Sequence, residues 1–182
     1  MFGLVWILGA LVFPGVDGGP GDRSQEAAID DTPGFIASAE AGDLAQVKSL
    51  VASGTDINVQ DWAGRTALVA AASHGHADLV RFLLAAGANV QAGTEDSALI
   101  AAAKSDDLES MKLLLDAGAA VNAWGETRES GPETSLMFAA EHCNAPAVRL
   151  LVAHGADAKA RIPFLGFTAI HLAVGSCRQE AS

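Results

Sequence analysis

Two short apolar stretches separated by a polar turn recur along the chain, and residues 65–87 show this pattern most clearly. The first stretch follows Thr66, whose hydroxyl can accept a backbone N–H at a helix start and therefore predicts an N-cap. Gly87 follows the second stretch and predicts its end, because glycine tolerates the left-handed conformation of a helix C-cap. Between them, helical spacing places the apolar residues on one face of each helix. These residues are Leu68, Ala71 and Ala72 in the first helix and Leu79, Val80, Leu83 and Leu84 in the second.

The helix pair is repeated with a period near 33 residues, measured between the glycines that close each second helix. These glycines are Gly54, Gly87, Gly118 and Gly155, with spacings of 33, 31 and 37 residues. The first helices align from Pro33, Thr66, Ser97, Thr134 and Thr168, and the second helices from Leu44, Ala77, Leu108 and Ala145. A helix pair this small cannot bury both of its apolar faces alone, so we expect the copies to pack on one another.

The aligned segments closely resemble the ankyrin repeat family. The T-P-L-H start of that family's first helix is represented by segments 66–68, 134–136 and 168–171, and its G-A-D-V-N-A segment by 118–123 and 155–158. The D-x-x-G-x-T finger is intact at 61–66. The resemblance covers about 32–182 and implies an all-α repeat solenoid, in which helix-turn-helix units stack with short β-hairpin fingers between them. It predicts about four and a half repeats, the last of which is incomplete.

Small and large apolar residues alternate in a way that fits this stack. Alanine pairs at 71–72, 102–103 and 139–140 would allow the first helices to approach closely, while the pairs at 83–84, 114–115 and 151–152 supply bulk. The histidine that the family places after T-P-L is retained only at His171, so we expect its hydrogen bond to threonine to be missing from the other repeats. The last copy stops before a second helix, which indicates a truncated chain or one without a C-terminal cap.

The N-terminal region predicts export. Residues 2–13 form an apolar run of 12, which is too short to span a bilayer but matches the hydrophobic region of a signal peptide. We therefore interpret 1–18 as a signal peptide cleaved after Gly18, and the polar segment 19–31 as a flexible linker. No Lys or Arg precedes the apolar run, so the alternatives are an uncleaved membrane anchor and a mis-assigned start codon. The resemblance and this segment together suggest a bacterial-type ankyrin protein that is periplasmic or secreted.

Composition and motifs exclude several function classes. The net charge of −11 argues against nucleic-acid binding, which requires Lys and Arg against phosphates. No nucleophile elbow, P-loop, zinc-protease or dinucleotide motif is present, so we expect no catalysis and no cofactor. His142 and Cys143 are adjacent but lack the spacing of metal ligands, and we predict no metal site.

The two cysteines, Cys143 and Cys177, occupy the same inter-helix turn in adjacent repeats, nine residues after Thr134 and Thr168. An oxidising compartment would favour a disulfide between them. Stacked helices lie about 8–10 Å apart, whereas a disulfide needs Cα atoms within about 7 Å. The sequence leaves two alternatives, which are a disulfide and a pair of half-buried thiols.

The resemblance also implies a partner-binding surface, formed by finger tips and the concave side of the first helices. We call the matching positions the finger surface, and they are Gln60, Trp62, Ala63, Arg65, Ser73, His74, Lys104, Ser105, Trp124, Glu141, His142 and Phe164. Trp62 is the strongest candidate because Trp is enriched at interface hot spots. Trp124 and Phe164 could bind a partner or fold back over the solenoid edge.

The leading functional hypothesis is therefore an exported, non-catalytic protein-interaction module. The alternatives are a membrane-tethered adaptor and a targeting region of a longer polypeptide. The partner would be another protein, and a membrane would be involved only if residues 2–13 stay uncleaved.

Overall fold

A computed structural model of the protein describes residues 32–93, 97–125 and 132–177. The predicted signal segment 1–18 and linker 19–31 lie outside the described residues. Within the described ranges the chain forms nine helices and one short β-hairpin, and no helix there is long and apolar enough to cross a membrane.

The first eight helices form four successive pairs, and the ninth has no second helix within the described ranges. In chain order they are α1 (Thr32–Glu40), α2 (Leu44–Ala52), α3 (Ala67–Ser73), α4 (Ala77–Ala85), α5 (Ala98–Lys104), α6 (Leu108–Asp116), α7 (Ser135–Glu141), α8 (Ala145–Ala153) and α9 (Ala169–Cys177). The hairpin pairs β1 (Trp124–Gly125) with β2 (Glu133–Thr134). The first helices α1, α3, α5, α7 and α9 pack in one row, and the second helices α4, α6 and α8 pack in another. The predicted all-α repeat solenoid is confirmed.

Polar side chains cap several helix starts, among them the predicted N-cap Thr66. The Thr66 hydroxyl accepts the Val69 amide at 3.3 Å at the start of α3. In the second helices, Asp43 accepts the Gln46 amide at 2.9 Å before α2, and Asn144 accepts an amide before α8 in the same way. These bonds satisfy backbone donors that a helix start would otherwise leave without a partner. At the other end, Gly87 follows α4 with φ +93°, as predicted for a C-cap glycine.

The three central first helices are buried along most of their length. Six consecutive residues are buried in each of the three central first helices: 67–72 in α3, 98–103 in α5 and 135–140 in α7. Alanine accounts for four of the six residues in α3 and in α5 and for two of the six in α7, so α3 and α5 can approach each other with few large side chains between them. Leu83, Leu114 and Leu151 are fully buried and fill the space between the first and second helices.

Side chains in the inter-helix turns also join adjacent repeats. His76 Nε2 donates to the Glu40 carbonyl at 2.8 Å, and Ser105 Oγ donates to the Ala72 carbonyl at 2.8 Å. Gly42 has φ +72°, and a Cβ there would lie 2.7 Å from the His76 ring. Glycine is therefore required at this turn both by the backbone conformation and by the approach of the next repeat.

The last repeat differs from the others in two ways. Thr168 Oγ1 and His171 Nδ1 lie 2.8 Å apart, so the threonine–histidine hydrogen bond forms where the sequence retains the histidine. A disulfide joins Cys143 to Cys177, with Cα atoms 5.6 Å apart. The turns therefore lie closer together than the 8–10 Å expected between helix axes. The bond closes a loop of sequence separation 34 and, because it restricts the unfolded chain, contributes about 3–4 kcal/mol to the free energy of unfolding.

The first finger, which precedes α3, is fixed by a ring of hydrogen bonds around Asp61. Its Oδ1 accepts the amides of Ala63 and Arg65, each at 2.9 Å, and its Oδ2 lies 2.8 Å from the Arg65 guanidinium. The same guanidinium reaches Glu40 at the end of α1, at 2.6 Å. An isolated bridge between Gln60 and Thr66 closes the finger. The finger is thus tied both to itself and to the preceding repeat.

Burial and hydrogen bonding act in opposite directions on Asp61. Burial raises the pKa of its carboxyl group, but hydrogen bonds from the Arg65 amide, the Arg65 guanidinium and the Ala63 amide outweigh that effect. The pKa of Asp61 therefore lies below its ordinary value of 3.8. A lowered pKa in the folded state means that the ionised carboxylate stabilises the fold above about pH 4. That contribution is lost as the pH falls through the folded-state pKa.

We predict that Asp61→Asn lowers the free energy of unfolding by about 1–2 kcal/mol at pH 7, because it removes a charged acceptor of several hydrogen bonds. Urea unfolding at pH 7 and pH 3 measures the effect, and the difference from wild type should shrink at pH 3. Asp56→Asn is the matched control, since Asp56 also accepts a local amide but has no ion pair in the described ranges. A difference for Asp61→Asn that is unchanged between pH 7 and pH 3 would contradict this account.

Candidate functional site

A groove of about 380 Å³ runs between α1 and the first finger. Three residues of the finger surface line it, namely Gln60, Trp62 and Arg65, and they face Ile36 and Glu40 of α1. The groove therefore joins a finger tip to the exposed side of a first helix, which are the two features that the sequence assigned to the binding surface.

Trp62 is the most exposed large apolar residue at this groove, with 96% of its surface accessible. Its position is fixed because its neighbours Asp61 and Ala63 belong to the hydrogen-bonded ring of the finger. The ring of Trp62 is thus displayed by a fixed backbone and is not packed against the solenoid. Since none of the described residues covers this ring, its apolar area is available for contact with another molecule.

Arg65 supplies the charge of the groove. Its pKa is raised, first of all by the hydrogen bond to Asp61, so the guanidinium is fully protonated. Two carboxylates, from Asp61 and Glu40, form ion pairs with it. Sequence analysis missed Glu40, although the repeat period gave a signal for it. Glu40 occupies the position equivalent to Ser73, Lys104 and Glu141, all of which were assigned to the finger surface.

Phe164 displays a second aromatic ring in the same register. It lies four residues before Thr168, as Trp62 lies four residues before Thr66, and 94% of its surface is exposed. Each ring is followed two residues later by a glycine with positive φ, which is +73° at Gly64 and +69° at Gly166. Phe164 therefore does not fold back over the solenoid. Exposed aromatic rings occupy corresponding finger tips three repeats apart.

The remaining finger residues are partly engaged within the fold. Ala63, the residue after Trp62, is half-buried. Trp124 lies in β1 opposite Thr134 and is 43% exposed, so only part of its ring is accessible. The expanded loop beyond it, residues 126–131, lies outside the described residues. Trp124 thus combines a structural position in the hairpin with a partly open surface.

Ser73 and His74 are exposed at the end of α3, and the side chains of both contact the Ala70 carbonyl. Lys104 and Ser105, at the equivalent position of the next repeat, are half-buried instead. Lys104 Nζ lies 5.1 Å from the Phe138 ring centroid, a cation–π distance. Because Ser105 also bonds to the preceding repeat, these two residues mainly join repeats in the structure.

Glu141 and His142 are exposed at the end of α7. His142 Nδ1 lies 3.1 Å from Asp106 Oδ2 in the preceding repeat, which accounts for its orientation. Across the described ranges, no group of three or more His, Cys, Asp or Glu residues is arranged to hold a metal ion.

Comparison with known proteins agrees with this geometry. A family model described as ankyrin repeats (3 copies) matches residues 35–125, which is half of the chain. The matched range includes the first finger and its groove. A search of curated proteins found no match. The repeated helix pairs, their fingers and the family match together establish that this chain belongs to the ankyrin repeat family.

Proposed function

We propose that the chain is a non-catalytic interaction module that binds a partner protein through the finger surface, with Trp62 as the main anchor. Ankyrin repeats generally act as protein–protein interaction modules. The observation that carries the proposal is the nearly complete exposure of Trp62 on a finger fixed by hydrogen bonds.

The mechanism is the display of a preorganised surface. Binding to a rigid finger immobilises few additional bonds, so little conformational entropy is lost when the partner docks. Trp62 would enter an apolar site on the partner, while Arg65 and its two carboxylates form a polar rim beside it. Phe164 would extend the contact toward the last repeat.

We predict that Trp62→Ala weakens binding of the partner at least 30-fold, because truncation of an aromatic hot spot costs about 2 kcal/mol or more. A partner would first be retrieved from a native lysate with the full chain and then purified. Titration calorimetry with each purified variant measures its affinity, and circular dichroism checks that helix content is unchanged.

Leu108→Ala is the matched control for this experiment. Leu108 is also an exposed large apolar residue, but it lies at the start of α6 and outside the finger surface. Its replacement should leave affinity unchanged. Equal affinities of wild type and Trp62→Ala would remove Trp62 from the binding site and contradict the proposal.

We further propose that the protein is exported. Two features support this, namely the apolar run at residues 2–13 and the disulfide between Cys143 and Cys177. Structural disulfides persist mainly in oxidising compartments, and a short apolar N-terminal run fits a signal peptide. Retention of residues 2–13 as an anchor is the alternative.

The intact mass of protein from fractionated native cells, measured without reductant, tests export. We expect an extracytoplasmic protein that lacks about the first 18 residues and two cysteine hydrogens. A full-length mass in the membrane fraction would support the anchor. A full-length cytosolic protein with free thiols would contradict export.

A further inference from the structure

Large apolar residues that are buried in other repeats are exposed on α9. Ile170 is 71% exposed, whereas its equivalents Leu68, Leu99 and Leu136 are at most 3% exposed. In the complete repeats a second helix packs on the first helix that carries this position. In the described ranges, no second helix packs on α9.

An apolar residue of α8 is also more exposed than its equivalents in other repeats. Val152 is 50% exposed. Its equivalents are less exposed, since Leu84 in α4 is half-buried and Leu115 in α6 is 7% exposed. Val174 of α9 is 66% exposed, while its equivalent Ala140 in α7 is buried. Val152 and Ile170 line one groove together with Val148, Arg149 and Ala173, and the exposed Val174 is the next residue of α9. We call these six residues the open face.

The open face contains a groove of about 410 Å³ that lies between α8 and α9. The groove continues an interface that is already present in the fold. In that interface α6 packs beside α4 and over α5, and α8 packs beside α6 and over α7. The next position in this row, beside α8 and over α9, is the groove itself. The shape it offers is therefore that of one more second helix.

Charge indicates which residues such a helix would carry. Arg81 of α4 bonds to Glu109 of α6 at 2.8 Å, so the fifth residue of one second helix pairs with the second residue of the next. Arg149 is the fifth residue of α8 and lines the groove. It has no ion-pair partner among the residues that the structure describes. An acidic residue at the second position of an added helix would face Arg149.

We propose that the open face binds an amphipathic helix of a partner protein, as a site separate from the finger surface. The helix would carry an acidic residue at its second position and apolar residues at its fourth, seventh and eighth positions. The apolar positions are those shared by α4, α6 and α8. Its apolar face covers Val152, Ile170 and Val174, and its acid pairs with Arg149.

The probe is a capped, fluorescein-labelled peptide with the sequence of residues 106–118 of this chain, which contains α6 and its N-cap Asp107. It carries the required acid at Glu109 and the apolar residues Met111, Leu114 and Leu115. Fluorescence anisotropy with the full-length protein should show saturable binding below about 1 mM. Ile170→Asp should weaken it at least tenfold, because the docked helix would bury an unpaired charge.

A charge exchange tests the orientation of the helix. Arg149→Glu should weaken the peptide about fivefold, because an attraction becomes a repulsion at the groove edge. A peptide with Lys in place of Glu109 should recover that loss on the Arg149→Glu protein and bind the wild type more weakly. Trp62→Ala is the control, and peptide binding should not change. A negative result for one proposed site therefore does not contradict the proposal for the other site.

Three results would overturn the proposal. The first is no binding of the peptide at 1 mM, and the second is binding that neither Ile170→Asp nor the charge exchange alters. The third comes from analytical ultracentrifugation of the protein alone. A dimer that Ile170→Asp dissociates would mean that a second copy of this chain, and not a partner helix, covers the open face.

Discussion

The close packing of alanine-lined first helices is the constraint on which the rest of the structure depends. In α3 and α5 the six buried residues include four alanines each, and the small side chains keep the two helices close. Larger residues at the alanine pairs would separate adjacent repeats. Hydrogen bonds across the turns, such as that from Ser105 to Ala72, form only at this spacing. The alanine contacts therefore set the separation of the repeats and, with it, the separation of the fingers.

Apolar residues are buried where a helix pair has a neighbouring pair on both sides. They are exposed at the end of the described stack and at the finger tips, which project from it. This rule accounts for the two surfaces described above. Trp62 and Phe164 project at finger tips, which lie outside the helix rows. Ile170 and Val152 face the side of the last pair that no described element covers. Each surface therefore follows from the geometry of the stack and requires no special local fold.

The sequence predicted the repeat architecture well because the pattern was repeated. The apolar spacing, the capping residues and the closing glycines reinforce one another from copy to copy, so the register of α3 to α8 could be assigned. Contacts between residues that are far apart in the sequence could not be predicted in this way. The ion pair between Arg65 and Glu40 joins residues 25 positions apart. For Cys143 and Cys177, whose Cα atoms lie 5.6 Å apart, the expected helix spacing left open whether a disulfide forms. The exposure of Phe164 was also open, although its register with Trp62 was visible in the sequence.

The most direct test of the central claim is native-state hydrogen exchange of the full chain, resolved by residue with NMR. If the alanine-lined stack is the constraint that holds the fold, the amides of Ala101, Ala102 and Ala103 in α5 exchange only when the whole domain unfolds. Amides of α1, which packs against one first helix within the described part of the chain, should then exchange at least tenfold faster. Exchange in α5 as fast as in α1 would contradict the account, because stability would then not come from packing between the first helices.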